Sequence, residues 1–193
     1  MYVRFVAGTD AENAYYWRMN RRKLEAEAVR DSILFVSGKL DLTMGGPGYK
    51  TFSFEDDHSP RYKYQDYDPD DPKTCRRAVY RFVVRSVPDP FMETLDCADP
   101  SQTVARRNET LTALQALALL NDKFMLRMAE HLAERAEKSA PDLPGRVEAA
   151  FRMALGRSST EKEKRVLLGV AEREGLADVC RVIFNTNEFA FVD

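Results

Sequence analysis

The chain has 193 residues, a usual size for one domain, and 44% of them are hydrophobic, enough to build a packed core. Charged residues make up 31% but nearly cancel to a net charge of −2, so the basic face of a nucleic-acid-binding protein is not indicated. No apolar run approaches the ~20 residues of a membrane span, and residues 1–3 lack the basic, then apolar, start of a signal peptide.

Residues 10–37 predict a long helix, with Asp10 as its N-terminal cap and Gly38 just after its end. Its apolar face is predicted to carry Trp17, Leu24, Ala28 and Phe35. Glu27 and Asp31 stand one turn apart on this helix, where like charges repel. We therefore expect an arginine from elsewhere in the chain to approach them.

A long loop insertion is predicted over residues 39–75, with a short strand at residues 51–54. The Gly-Gly-Pro-Gly run at residues 45–48 is interpreted as a plain turn rather than an anion cradle, because it lacks the Lys-Ser/Thr ending of a P-loop.

Asp66, Asp68 and Asp70 stand two apart, like the opening of a calcium-binding loop. Asp71 replaces the glycine that such a loop needs, and Arg77 stands where the closing glutamate should be. The sequence therefore favours a solvated acidic turn and leaves a weak cation site as the alternative.

Residues 76–87 favour a helix over a buried strand, with Pro88 and Pro90 stopping it. A second irregular stretch is expected over residues 88–109. It contains Glu93 and Asp96, two carboxylates that could act as an acid–base pair if a cleft held them about 5–9 Å apart.

Residues 110–138 carry the strongest helical pattern, and Asp122 can cap a new helix, which predicts two helices meeting at residues 121–122. The apolar stripe of this segment, which we expect to be part of the core, comprises Leu114, Leu117, Ala118, Phe124, Met125, Met128 and Leu132. Three shorter helices are predicted to follow. The first covers residues 145–155 and the third covers residues 176–185. The second begins at Thr160, which forms a capping box with Glu163, and is expected to bury Val166.

The spacing of the histidines and cysteines matches no metal-binding or cofactor-binding motif. The two histidines, His58 and His131, lie far apart, and His131 is expected on the helix surface. A bridge between Cys75 and Cys97 is possible in an exported protein, whereas Cys180 is expected to be a buried thiol.

Arginines and carboxylates concentrate around the predicted loops, where planar bidentate pairs can form. This set comprises Arg76, Arg77, Arg81, Arg85, Arg106, Arg107 and Asn108 with Glu25, Glu27, Asp31, Glu93 and Asp96. We favour a polar network that holds the loops on the helices. The functional alternative is a pocket for an anionic group, such as a sulfated or uronic-acid sugar.

Seven segments, in this order and spacing, resemble the C-terminal domain of unknown function in planctomycete-type cytochrome-associated proteins. They are residues 17–37 (WRMNRRKLEAEAVRDSILFVS), 45–47 (GGP), 76–88 (RRAVYRFVVRSVP), 91–101 (FMETLDCADPS), 106–122 (RRNETLTALQALALLND), 154–157 (ALGR) and 184–193 (FNTNEFAFVD).

The resemblance implies an exported protein with two further domains before this one. The first would be a cytochrome-c-like domain that binds haem, and the second is uncharacterised. The resemblance implies no haem here, no established catalytic residues and a contextual link to polysaccharide breakdown. The family usually has proline after the threonine that starts the central helix; Ala113 stands there, which implies a looser cap.

The expected architecture is a single, mainly α domain over residues 1–193 with at most a short strand pair. The expected function is an interaction or scaffold domain that packs on the upstream domains. A carbohydrate-binding or carbohydrate-acting module with an arginine and carboxylate cleft is the alternative.

Overall fold

Helices dominate the computed structural model, which describes residues 9–192 and is 49% helical. In chain order the described helices are α1 (Ala26–Val36), α2 (Pro90–Thr94), α3 (Ala113–Asn121), α4 (Lys123–Glu137), α5 (Leu143–Leu155), α6 (Glu161–Glu174), α7 (Leu176–Phe184) and α8 (Asn187–Ala190). The mainly α architecture predicted from the sequence is confirmed. No helix among these residues is long and apolar enough to cross a membrane. Residues 1–3, where no signal peptide is expected, lie outside the described part.

The core forms where α4 packs against α7, with α1, α5 and α6 around them. Fully buried side chains recur at three and four along both helices, as amphipathic helices require. From α4 they are Met125, Met128 and Leu132, and from α7 they are Val179, Cys180 and Ile183. The buried thiol predicted for Cys180 is confirmed.

The bend predicted at residues 121–122 is confirmed. Asp122 has an extended backbone (φ −60°, ψ 140°), and its carboxylate accepts the Phe124 N–H at 2.8 Å. The same residue thus ends α3 and caps α4.

Helix ends in the last third also follow the sequence. Gly156 ends α5 in the left-handed region (φ 70°), where a side chain would be strained, and Thr160 with Glu163 forms the predicted capping box of α6. Val166, predicted to be buried on α6, is instead 59% exposed.

Two antiparallel strand pairs occur in the described part of the chain. β1 (Arg22–Lys23) pairs with β4 (Phe191–Val192), so distant parts of the chain meet beside α1. β2 (Ser53–Glu55) pairs with β3 (Arg61–Lys63) within the long loop. It starts two residues later and ends one residue later than the predicted strand.

The helix predicted over residues 10–37 is wrong in its first half, because α1 starts at Ala26. The Asp10 carboxylate accepts the N–H groups of Ala14 and Tyr15, and Asn13 has a positive φ of 57°. Such side-chain bonds to nearby backbone compete with helix formation. Phe35, expected on the buried face, is exposed.

The helix predicted over residues 76–87 is also wrong. A single 3-10 turn, Ala78–Tyr80, is followed by extended chain. The backbone bonds go sideways to Tyr49: its N–H donates to Tyr80 O at 3.1 Å, and its carbonyl accepts from Phe82 N at 2.7 Å.

Two helix starts differ from expectation. Pro90, predicted to stop a helix, occupies the first turn of α2, where its missing N–H costs nothing, and Asp89 caps that turn. Thr112 forms a complete capping box with Gln115 at the start of α3. The looser cap implied by Ala113 is therefore wrong.

Candidate functional site

A cleft of about 540 Å³ lies between α1 and two loop segments. Its charged wall gathers side chains that are far apart in the sequence: Glu27 and Asp31 from α1, Arg77 and Arg81 from the segment after the long loop, and Arg107 from the segment before α3. Val79, Val83, Ala98 and Pro100 line the remaining part. The cleft therefore combines a charged wall with an apolar edge.

Arg107 approaches Glu27, one of the two acids of α1 whose mutual repulsion was predicted. Its Nη1 donates to Glu27 Oε2 at 2.7 Å and lies 3.6 Å from Glu25 Oε2. Burial alone would raise the pKa of Glu27, but the hydrogen bond and charge of Arg107 outweigh it and hold that pKa below its ordinary value. The prediction that an arginine from elsewhere in the chain would approach these acids is confirmed for Glu27, whereas the arginine beside Asp31 is its neighbour Arg30.

Asp31 is engaged differently. It accepts the Ala78 N–H at 2.8 Å, and Arg30 Nη1 lies 3.6 Å from the same oxygen. Burial raises the pKa of Asp31, against the lowering effects of that N–H and of Arg30. Asp31 thus anchors the 3-10 turn to α1.

Cys97 and Arg81 meet at the back of the cleft. The Cys97 thiol donates to Glu27 Oε1 at 3.6 Å, and Arg81 Nη2 lies 3.6 Å from the sulfur. Burial raises the pKa of the Cys97 thiol, and the nearby Glu27 carboxylate raises it further. Neutral thiol is therefore the dominant form at neutral pH, which disfavours a nucleophilic role.

Arg30 is a buried residue that the candidate set missed. Its guanidinium donates to the Arg76 carbonyl at 2.9 Å and lies over the Tyr49 and Phe124 rings, at 5.2 and 5.5 Å from their centroids. A signal for it was present, because residues 26, 30 and 33 follow helical spacing on the buried face. Arg30 holds the long loop against α1.

Arg76, a candidate binding residue, also acts as a clamp. Its Nη1 donates to the Pro47 carbonyl at 2.9 Å, and the guanidinium stacks on Tyr80 at 4.2 Å. The Tyr80 hydroxyl accepts the Gly45 N–H at 3.0 Å. These contacts tie down the Gly-Gly-Pro-Gly turn, in agreement with the network interpretation.

Arg106 and Asn108 are exposed and line a neighbouring cavity of about 470 Å³. The basic residues 21–23 line the same cavity, so they lie close to Arg106 and Arg107. Arg107 borders both this cavity and the cleft.

The structure places Glu93 and Asp96 in different cavities. Glu93 is exposed, whereas Asp96 accepts from Lys23 Nζ at 2.8 Å, from Thr110 N at 2.8 Å and from Gln115 Nε2 at 3.0 Å. Burial would raise the pKa of Asp96, but these donors lower it below its ordinary value. Asp96 is thus a structural carboxylate, and Glu93 is a surface carboxylate.

The three acids of the calcium-like turn have separate partners. Asp66 accepts from Ser53, Asp68 accepts the Asp70 N–H at 2.9 Å, and Asp70 pairs with Arg127 at 2.6 Å. Within residues 9–192, no group of three or more His, Cys, Asp or Glu side chains is arranged to hold a metal ion.

His131 corrects another expectation, because it is 5% exposed rather than on the surface. Its Nε2 lies 2.7 Å from Asp70 and its Nδ1 3.3 Å from Glu134. The hydrogen bond with His131 holds the pKa of Asp70 below its ordinary value. The loop covers this face of α4, which the helical pattern alone could not show.

Cys75 and Cys97 are free thiols, so the bridge considered for an exported protein does not form. The Cys75 sulfur lies 3.7 Å from the Asp71 carbonyl, whereas the Cys97 sulfur faces Glu27 and Arg81.

A second surface of interest is the outward side of α3, which we call the leucine face. Leu114 and Leu117, predicted to be buried, are 70% and 53% exposed, and Leu111 just before the helix is also exposed. Gln115 and Leu119 are the buried residues of α3. The helix therefore presents most of its apolar surface to solvent.

The fold and the cleft define a mainly helical domain whose loops are held by arginine contacts. The chain belongs to the PSD1 family, a protein family of unknown function (DUF1553), whose profile matches residues 5–171. Comparison with curated proteins and with solved structures gave no match.

Proposed function

We propose that the domain is an interaction module that packs its leucine face against domains preceding it in a longer, exported protein. The observation that carries the proposal is the composition of α3. Its sequence, ALQALALLN, contains no charged residue, although most of the helix faces solvent. A helix that is apolar all round is normally buried, and nothing within residues 9–192 covers this one.

The resemblance to planctomycete-type cytochrome-associated proteins supplies the partner. In that arrangement a cytochrome-c-like domain carries the haem, a second domain follows, and this domain closes the chain. Packing of the leucine face on the upstream domains would give it a structural role. The same resemblance would place the protein in the cell envelope or periplasm.

Association of two separately purified pieces, this domain and its upstream region, tests the proposal by titration calorimetry. The variant Leu114→Glu/Leu117→Glu puts charge on the leucine face without touching the core, so its fold should survive, as circular dichroism can verify. Since buried interface anchors each contribute more than about 1 kcal/mol, affinity should fall roughly tenfold or more.

The matched control is Val166→Glu, an equally exposed apolar position on α6. It should bind like the unaltered domain. No association at all, or equal binding by the double variant, contradicts the proposal.

A second candidate function is carbohydrate recognition in the cleft. It is favoured by the arginines and carboxylates that share one wall there, since both bind sugar hydroxyl groups and arginine binds uronic acids. A glycan array and a hydrolase panel test it. Absence of both binding and turnover excludes this function.

A further inference from the structure

We propose that the cleft binds the carboxylate group of a small ligand with an apolar body, held by Arg77 and Arg81. The site is distinct from the leucine face, so either proposal can fail without the other. It competes with carbohydrate recognition in the same cleft, and the probes below separate the two.

Arg81 carries the argument. Its side chain is 6% exposed, and its buried Nε has no hydrogen-bond partner among the described residues. The other contacts of the guanidinium are weak: a hydrogen bond at 3.6 Å to the Cys97 sulfur, a poor acceptor, and an ion pair with Asp89 at 3.7 Å. Burying charged donors without good acceptors is costly, and a carboxylate matches the planar fork of a guanidinium. A bound carboxylate would supply the missing acceptors.

Arg77 adds a second donor to the same wall, because its Nε is also buried and without a partner within residues 9–192. The neighbouring acids are already engaged, Glu27 by Arg107 and Asp31 by the Ala78 N–H. Glu25 lies 3.6 Å from Arg107, and Asp89 offsets the charge of Arg81 only from 3.7 Å. The positive charge of Arg77 and Arg81 is therefore only partly offset. The basic residues around Arg106, beyond Arg107, would also attract an anion.

The apolar edge of the cleft indicates what the ligand carries besides its carboxylate. Val79 and Val83 are exposed, and they line the cleft together with Ala98 and Pro100. These side chains offer contact area but no side-chain hydrogen bonds, so they suit a hydrocarbon or aromatic group better than a sugar ring. The cleft volume of about 540 Å³ is within the range of small-molecule sites, roughly 300–1,000 Å³.

Benzoate, glucuronate and sulfate are the probes, titrated separately into the ¹⁵N-labelled protein. The ¹H–¹⁵N signals of the arginine Nε–H groups report directly on Arg77 and Arg81. Benzoate should shift both signals in a saturable way, with at least about tenfold tighter binding than glucuronate or sulfate. No shift of these signals, or equal or tighter binding of glucuronate or sulfate, overturns the proposal.

Val83→Glu tests the location, because it puts a negative charge on the exposed rim and leaves the buried arginines in place. Benzoate binding should weaken at least about tenfold, whereas the control Val166→Glu should bind like the unaltered protein. Arg81→Lys, which keeps the charge but loses the planar fork, should weaken binding to a similar extent. Unchanged affinity in a folded Val83→Glu variant refutes the site.

Discussion

Asp96 is the residue at which the loop after α2 meets the rest of the molecule. Its backbone is in the left-handed region (φ 67°), and its carboxylate joins β1, through Lys23, to the start of α3, through Thr110 and Gln115. Hydrogen bonds to an ionised carboxylate are among the stronger ones, and one of these donors, Lys23, is itself charged. We therefore expect Asp96 to stabilise the folded state.

Replacing Asp96 with alanine should lower the free energy of unfolding by about 2–4 kcal/mol, because buried donors lose their acceptor and alanine is strained at positive φ. The exposed Glu93 is the matched control, and Glu93→Ala should change stability by less than about 0.5 kcal/mol. Urea denaturation measures both. An Asp96→Ala variant of unaltered stability that has lost only ligand binding would make Asp96 a site residue instead.

Part of the candidate site could be predicted from the sequence. The repulsion between Glu27 and Asp31 pointed to an arginine partner, because helical spacing alone decides that the two acids are close. That this partner is Arg107, eighty positions further on, depends on how the loops fold. The burial of His131 likewise depends on Asp70 reaching over α4, which local periodicity does not encode.

At the scale of elements, the last three long helices follow the sequence closely because their caps and apolar spacing agree. Residues 10–25 and 76–87 do not, because there Asp10, Asn13 and Tyr49 offer the backbone other hydrogen-bond partners. The stripe on α3 was correctly predicted as helical and wrongly predicted as buried. Periodicity indicates an apolar face but not what covers it.

The start of α6 gives a pH-dependent prediction. The Arg157 hydrogen bonds, with the Thr160 N–H, lower the pKa of Glu163 from 4.5 to about 2. A carboxyl with a depressed pKa contributes its stability above its unfolded value of 4.5, and that contribution is lost as pH falls toward 2. Because Glu163 is partly exposed, we expect this contact to contribute only roughly 1 kcal/mol to the free energy of unfolding.

Urea midpoints of the unaltered protein and Glu163→Gln, measured from pH 6 downward, test this prediction. The variant should be less stable at pH 6, and the difference should shrink as the pH falls. Two parallel curves would show that the contact between Arg157 and Glu163 contributes nothing measurable.

At the scale of the whole molecule, the structural unit extends beyond the segment that matches the family. The match ends at residue 171, inside α6, yet α7 supplies Val179, Cys180, Ile183 and Phe184 to the core. The strand β4, which pairs with β1, also lies beyond it. The fold therefore needs residues on both sides of that boundary.

Truncation after residue 171 should abolish cooperative folding. Each fully buried side chain of α7 contributes about 1.5–3 kcal/mol, so their combined loss is comparable to the roughly 5–15 kcal/mol stability of a whole domain. Thermal unfolding followed by circular dichroism measures this. A truncated chain that still melts cooperatively would show that α7 is dispensable.

The central claim is that the leucine face of α3 is covered in the longer protein. Hydrogen–deuterium exchange, compared between this domain alone and the same domain joined to its upstream region, tests it most directly. We predict slower exchange over residues 111–121 in the longer chain, and no change over α6 around Val166. Equal exchange of residues 111–121 in both would contradict the claim.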